Sequence, residues 1–536
     1  MVSIPNPKMP SQMAHSFSNV PKANIPRSSF KRVKSHKTTF DSGYLIPIFV
    51  DEVVPGDTFN FNMTMLTRLS SPLKYPIMDN LYLDSFFFFV PNRLLWEQWE
   101  RFNGAQDTPA SSTAYTVPQV VGAASGGFPQ ASLFDYFGVP TKVNSLSINA
   151  LFSRSYNLIY NEWFRDQNLQ DSLVVDTDNG PDTYTDYVLR RRGKRADYFT
   201  SCLPWPQKGT AVSLPLGTSA PIMRTNNAGA WIGYKAGTNT AQTTNSVNFQ
   251  TGGTSNGSML WSSTSDGGAL DPNGGLYADL STATAATIND LRQAFQFQVM
   301  YERDARGGTR YIEVLAAHFG VTNPDFRLQR PELLATSSTP IGITPIANQS
   351  PPGYSGAPQK QGELTAVGAA SGSSSFIKSF TEHGVILGLV SVRADLSYQQ
   401  GLHKMFSRRV RTDFYWPALA HLGEQAVLNK EIYCDGSAND NLVFGYQERW
   451  AEYRYAQSQI TGEFRSNNTA TLEAYHLAQN FGSLPTLNST FISETPPMSR
   501  VQAVTTQDDW IFDSFMTINT VRPMPLFSVP GLIDHF

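Results

Sequence analysis

The sequence predicts a mainly β protein, one elaborated sandwich interrupted by long loop and helical insertions. Three observations lead there. Short apolar runs with the alternation of strands recur from one end of the chain to the other. The composition is turn-rich and aromatic, with 39 Gly, 34 Pro, 34 Phe and 22 Tyr. Charged residues make up only 16%, below the roughly 25% usual for soluble domains. Much surface is therefore expected to be buried against something, partner subunits being one candidate. A length of 536 residues would by itself suggest about three or four domains. Strands separated by helical and loop segments favour a single elaborated sandwich instead.

Residues 1–40 hold Lys8, Lys22, Arg27, Lys31, Arg32, Lys34 and Lys37 and not one Asp or Glu. With repeated Pro, Ser and Asn and little hydrophobic periodicity, the segment cannot bury enough apolar surface to fold by itself. It reads as an extended basic arm. Contact with nucleic-acid phosphates, which releases counterions, is one reading. A solubilising tail, or a brace on a neighbouring subunit, is the other.

Strands are expected at 44–50 and 58–66, and most clearly at 80–90 (NLYLDSFFFFV). There Leu81, Leu83, Phe87 and Phe89 fall on one face and Tyr82, Phe86, Phe88 and Val90 on the other. Apolar residues on both faces mean that the far end of this strand is covered on both sides, until Pro91 stops it. A helical section follows over 147–168, with Leu151, Tyr156, Ile159, Tyr160, Trp163 and Phe164 at helical spacing. These elements make 41–210 the first part of the sandwich.

Between 211 and 286 Thr, Ser, Gly, Asn and Ala dominate, and only Arg224, Lys235, Asp266, Asp271 and Asp279 are charged. So long a structureless loop would be unusual, so the stretch is expected to be a surface excursion with its own small fold. Trp231, Tyr234, Trp261 and Tyr277 punctuate it. They are either receptor-contact candidates, because exposed aromatics anchor interfaces, or the small core of the excursion. The segment 287–520 then completes the sandwich. Thr287 and Asp290 have the spacing of a capping box before an amphipathic helix, and strands return at 384–396, 441–448 and 510–521. The Gly/Ser/Pro-rich stretch 350–375 reads as a long surface loop. In the tail, 521–536, Leu526, Phe527, Val529, Leu532 and Ile533 argue against a free end and for a brace lying on a neighbouring surface.

Catalytic and metal-binding patterns are nearly absent. There is no phosphate-binding loop, HExxH or paired CxxC motif. Gly253, Ser255 and Gly257 have nucleophile-elbow spacing but lack the hydrophobic strand before and the helix after that the motif requires. Asp176, Asp178 and Asp182 form an acidic cluster, yet Gly180 occupies a ligand position and no Glu closes the loop at Tyr187. A solvated acidic loop is the simpler reading, and no metal or cofactor is expected. The net charge is −3, so the whole chain is no polycation. Cys202 and Cys434 read as two buried free thiols in a reducing cytoplasm. No secretory signal is visible, and the longest apolar runs fall far short of the roughly 18 residues that span a bilayer.

Arg190, Arg191, Arg192, Lys194 and Arg195 form the sharpest basic cluster, near Tyr198, Phe199 and Trp205. Phosphate contact and base stacking would suit single-stranded DNA; a salt-bridged corner between subunits fits as well.

Several uncommon strings resemble the major capsid proteins of gokushoviruses, small single-stranded DNA phages of the Microviridae. They are IYNEWFRDQNLQ (159–170), DYFTSCLPWPQKG (197–209), ERDARGGTRYIEVLAAHFGV (302–321), LSYQQGLHKMFSRR (396–409), WPALAHLGEQAVLNKEIY (416–433), FGYQERWAEYRY (444–455) and VRPMPLFSVPGLIDHF (521–536). They occur in family order, and the likeness extends over most of 41–209 and 287–536. The resemblance implies an eight-stranded antiparallel jelly roll of the viral capsid type and a T=1 icosahedral shell of about sixty copies. It further implies circular single-stranded DNA inside, assembly in the bacterial host cytoplasm, and no enzymatic activity. Small internal basic or scaffolding phage proteins would be partners. The 211–286 excursion would be the family's variable protrusion, used on a host surface receptor. Basic side chains facing inward would neutralise part of the genome. A β-sandwich carbohydrate-active enzyme would need a pair of carboxylates about 5–10 Å apart in a cleft, and no such pair is recognisable. A separate receptor-binding spike is disfavoured by the basic arm and by the lack of fibre repeats.

Overall fold

Alternation of apolar and polar residues decides the architecture. The computed structural model describes residues 26–105, 108, 110, 112, 114–210, 212, 222–224, 233–235, 241–242, 268–270, 276–278, 288–308, 310–320, 328–349 and 362–527. Two compact units emerge. One joins the chain up to Pro206 with the chain from Val321 onward, and the other is Gln207–Gly320.

In the first unit the principal strands are β1 (Ser28–Phe40), β2 (Ile46–Val53), β3 (Thr58–Leu69), β4 (Leu81–Pro91), β5 (Glu332–Pro340), β6 (Gly342–Ala347), β7 (Leu364–Ser379), β8 (Gly384–Ala394), β9 (Glu424–Leu428), β10 (Val443–Glu448) and β11 (Trp510–Arg522). One antiparallel sheet has the order β1-β11-β3-β7-β6 and another the order β5-β4-β8-β2. The two face each other across an aromatic core. Phe61 of β3 lies 4.8 Å from both Phe49 of β2 and Phe87 of β4, and Phe376 of β7 lies 5.7 Å from Phe87. Burying one such ring contributes about 1.5–3 kcal/mol.

The split of 80–90 into two apolar faces holds. Leu81, Leu83, Phe87 and Phe89 enter the core between the sheets, while Phe88 and Val90 enter a second core with Trp96, Phe128, Phe134 and Tyr187. Helix α1 (Leu151–Ile159), continued as a π turn over Tyr160–Phe164, closes that second core. It begins later than 147, because Ser147–Asn149 is a short strand paired with Gln119–Val121. A third core joins Tyr198, Phe199 and Cys202 to Val427, Ile432, Phe444 and Phe491. Around it, β9 and β10 form a two-stranded ribbon.

Two expectations change. Half of the stretch read as loop at 350–375 is strand, since β7 starts at Leu364 and runs to Ser379 between β3 and β6; residues 350–361 lie outside the described residues. Its small residues are what packing demands. A Cβ at Gly372 would sit 2.4 Å from Thr339 Oγ1 and 2.9 Å from Met65 Cε. Residues 28–40, part of the basic segment, form β1, paired along their whole length with β11; residues 1–25 lie outside the described residues.

The second unit contains α2 (Ile288–Arg306) and α3 (Tyr311–Phe319), with His318 Nε2 2.7 Å from Asp304 Oδ1. Thr287, the expected helix cap, lies outside the described residues. Short strands elsewhere in this unit pair Ile222–Arg224 with Leu276–Ala278, and Gly233–Lys235 with both Ala241–Gln242 and Gly268–Leu270. No helix among the described residues is long and apolar enough to cross a membrane.

Candidate nucleic-acid and subunit contacts

On β1 the pleat sorts the basic residues by parity. Even positions point inward. Arg32 makes a two-pronged contact with Asp51 of β2 (3.1 and 2.6 Å), donates to Thr520 Oγ1 (3.1 Å) and lies 5.8 Å from the centre of the Phe59 ring. Lys34 sits 5.7 Å above the Phe49 ring, and burial pulls its pKa below the usual lysine value against the opposing charge of Asp51. Odd positions point outward. Lys37 pairs with Asp513 at 3.1 Å in an exposed contact, and Lys31 is exposed with no ion-pair partner among the described residues. Arg27, just before the strand, donates to the carbonyl of Gly56.

The strand registers carry this outer face across the sheet. Lys31 stands beside Asn519, Asn60 and Ile377; Val33 beside Thr517, Asn62 and Ser375; Ser35 beside Phe515, Thr64 and Ser373. Lys37 stands beside Asp513, Leu66 and Ser371. The result is a mixed field in which hydroxyl and amide side chains alternate with Val33, Leu66, Ile377 and Phe515, which are 51–72% exposed.

The 190–195 cluster is built differently. Arg191 donates to the carbonyls of Ser42 (3.0 Å) and Glu494 (3.1 Å) and stacks 4.1 Å from the Tyr44 ring. Arg192 binds Asp84, which Arg393 also holds at 3.0 Å. Lys194 donates to Gln479 Oε1 at 2.7 Å over the Phe491 ring, and Arg195 pairs with Asp395 at 2.9 Å. Arg190 is half-buried, and its backbone N–H donates to the Tyr156 hydroxyl at 3.0 Å. These side chains therefore tie the sandwich to the segments around 395, 479 and 494 of their own chain. Buried among them, Glu494 accepts from Ala394 N at 3.0 Å, and burial raises its pKa to about 7. Burial likewise lowers the pKa of Lys194 to about 8.

The acidic cluster has an organic counterion. Arg154 on α1, with its side chain 1% exposed, contacts Asp182 at 2.6 and 2.8 Å, Asp178 at 3.4 Å and the carbonyls of Leu95 and Asp178. Tyr187 donates to Asp182 at 2.5 Å. A guanidinium thus occupies the centre that a cation would take, and no group of potential metal ligands is found among the described residues. No motif flags Arg154; its place one turn into an amphipathic helix, 28 residues from Asp182, is a tertiary fact.

A cleft of about 510 Å³ is lined by Asp197, Tyr198, Tyr398, His403 and Glu431. Its two carboxylates are already satisfied, Asp197 by Tyr398 (2.9 Å) and Glu431 by Tyr198 (3.0 Å). Cys202 is buried, but Cys434 is exposed, contrary to the expectation of two buried thiols, because it lies in a turn before Asp440 and outside the third core. Tyr234 and Tyr277 fall on the short strands Gly233–Lys235 and Leu276–Ala278. Trp231, Trp261 and residues 253–257 lie outside the described residues.

Residues 18–532 match the family model described as the capsid protein (F protein). The chain is 47% identical to the capsid protein VP1 of Bdellovibrio phage phiMH2K, over 97% of this chain and 98% of that one. It is 42% identical to VP1 of Chlamydia phage 1, over 98% and 99%, and 36% identical to VP1 of Spiroplasma virus 4, over 97% of each. A homo-oligomeric shell, a place in the virion and a structural, non-enzymatic role follow from that likeness. The chain belongs to the F-type capsid proteins of the Microviridae, among those of the gokushoviruses.

Proposed function

We propose that the chain is a jelly-roll subunit, about sixty copies of which close a T=1 icosahedral shell around circular single-stranded DNA. The carrying observation is strand order. Counting β5 as the fifth strand and β7 as the sixth, the sheets read 1-8-3-6 and 2-7-4-5, with β6 an addition at the edge beside β7. Two Greek keys wound together give that order in viral capsid sandwiches. The near-neutral, low-charge chain also suits burial against copies of itself.

On this reading DNA contact falls to the outward side chains Lys31 and Lys37 and to the neighbouring amides, with Phe515 available for stacking. The 190–195 cations serve mainly as intramolecular ties. The 211–286 stretch, within the unit Gln207–Gly320, forms the surface protrusion and serves in host attachment. Residues 1–27 extend the basic face inside the shell, where small internal phage proteins share the packing of DNA, and 523–536 brace a neighbour.

Electron microscopy of sedimenting particles, from cells making the chain with and without the phage's internal proteins, tests the whole reading. Uniform icosahedral shells with density for nucleic acid against the Lys31–Phe515 face are expected. Soluble monomers or small rings under both conditions would overturn it, and nucleic acid seen elsewhere would overturn the assignment of that face.

A further inference from the structure

Residues 403–422 form a surface that is well held from below and left open above. Their only regular structure is three single 3-10 turns, Lys404–Ser407, Arg411–Asp413 and Pro417–Leu419. Even so, Phe406, Val410, Phe414, Trp416 and Leu422 are 42–68% exposed. Beneath them Trp450, 3% exposed, donates its indole N–H to the Leu419 carbonyl at 2.9 Å and meets the Tyr415 ring edge-on at 5.6 Å. The Asp413 carboxylate accepts from the backbone N–H groups of Arg409 (2.8 Å) and Val410 (3.0 Å). Arg408 pairs with Glu452 at 3.1 Å and lies 4.3 Å over the Tyr453 ring, and Arg411 lies 4.4 Å over Trp416. Rings and guanidiniums are thus ordered in advance, so covering them costs little side-chain entropy. Trp, Tyr and Arg are also the residue types that carry most interface energy.

Charge identifies the occupant. Residues 403–422 contain Lys404, Arg408, Arg409 and Arg411 against the single acid Asp413. Lys404 is held by Glu431 at 3.4 Å and Arg408 by Glu452, so Arg409 and Arg411 are the cations that face outward for a partner. The loop 171–186 has the opposite character, with five Asp, no Lys or Arg, and two exposed valines, Val174 (45%) and Val175 (46%). Arg154 holds Asp182 and reaches Asp178 from inside, while Asp171 at the start of the loop is exposed. No hydrogen bond or ion pair joins the two surfaces within one chain among the described residues.

We propose that the 403–422 surface is a subunit contact whose occupant is the 171–186 loop of a second copy. Two different patches meet, so the contact is heterologous, the kind that closes into rings when the rotation allows. The assignment rests on the chain assembling with its own copies. Nucleic acid fits less well, because guanidiniums already cover the rings of Trp416 and Tyr453 that bases would need, and Val410 and Leu422 offer bases no hydrogen bond.

The test is a charge swap scored by shell yield, by sedimentation and electron microscopy, in cells that also make the internal proteins. Arg409→Glu with Arg411→Glu, and separately Asp171→Lys with Ser172→Lys, are each expected to lower the yield about tenfold or more, a loss of one decade in association per 1.4 kcal/mol. All four substitutions together are expected to restore most of it. Circular dichroism and melting of the soluble subunits show whether each variant is folded. A fourfold variant that assembles no better than either pair overturns the proposal. Normal shells with reduced DNA content from Arg409→Glu/Arg411→Glu would assign the surface to nucleic acid and overturn it too. Wild-type shells made in parallel report on assembly itself, so the two readings fail separately.

Discussion

In the stretch 190–195 four of five cations are held by carboxylate, amide or carbonyl groups of the same chain, whereas on β1 the partners alternate with the pleat. The loop can aim each side chain independently, so the fold wraps acceptors around it. A strand has no such freedom: once Arg32 reaches Asp51, Lys31 and Lys37 must point the other way. A basic run therefore shows how much positive charge is present, and only the backbone period decides how much of it remains for a partner.

The comparison breaks if inward cations prove dispensable. Arg154 on α1 is buried more deeply than any cation of either stretch, and Arg154→Met strands Asp182, whose side chain is 1% exposed. Removing one partner of such a pair is expected to cost about 3–5 kcal/mol, read as a lower denaturation midpoint of the soluble subunit.

Next in size is a pH effect centred on Glu494. Its folded pKa is raised from 4.5 to about 7, so the folded state binds the proton more tightly than the unfolded one. Stability from this group is present below pH 4.5 and falls as pH rises to about 7, by on the order of 3 kcal/mol. Lys194 works in the other window. Its folded pKa is lowered from 10.5 to about 8, so its contribution is lost as pH falls from 10.5 to about 8. Melting curves of Glu494→Gln are expected to lack the loss between pH 4.5 and 7, and an unchanged slope would remove Glu494 as its source.

Arg192→Ala is expected to cost about 2 kcal/mol, less than a fully stranded pair, because Arg393 still holds Asp84. The outward cations give the smallest stability effect. Lys31→Ala with Lys37→Ala is expected to change unfolding by less than about 0.5 kcal/mol. The same pair is expected to reduce the salt slope of single-stranded DNA binding by about 0.7 per lysine. A large loss of stability, with DNA binding intact, would erase the distinction between the two stretches.

Much of the sandwich was legible because large side chains announce their faces. The run 80–90 disclosed two apolar faces and, with them, a layer on each side of the sheet. β7 was hidden for the opposite reason. Its inward positions include Ala366, Gly368, Ala370, Gly372 and Ser374, chosen small to admit Met65 and Leu69 from β3, and small residues read as loop. β1 was hidden because only Phe40 of its residues is fully buried, so its periodicity is carried by polar groups. The 190–195 cations were legible as charges, but their partners Asp84, Asp395 and Gln479 lie about 100 to 290 residues away, and spacing carries no signal at that range. The Arg–aromatic composition of 403–422 was visible; its exposure was not.

The insertion of β11 between β1 and β3 has a consequence in time. Synthesis passes Leu69, the end of β3, and must add about 440 residues before Trp510 begins β11. At roughly 5–20 residues per second that is on the order of 20–90 seconds. Through that interval β1 has no strand to pair with, and β3 lacks a neighbour on that side. The face that sets Lys31 beside Asn519 and Lys37 beside Asp513 thus cannot exist on a chain still short of β11. Whatever binds that face can therefore meet it only on nearly finished copies.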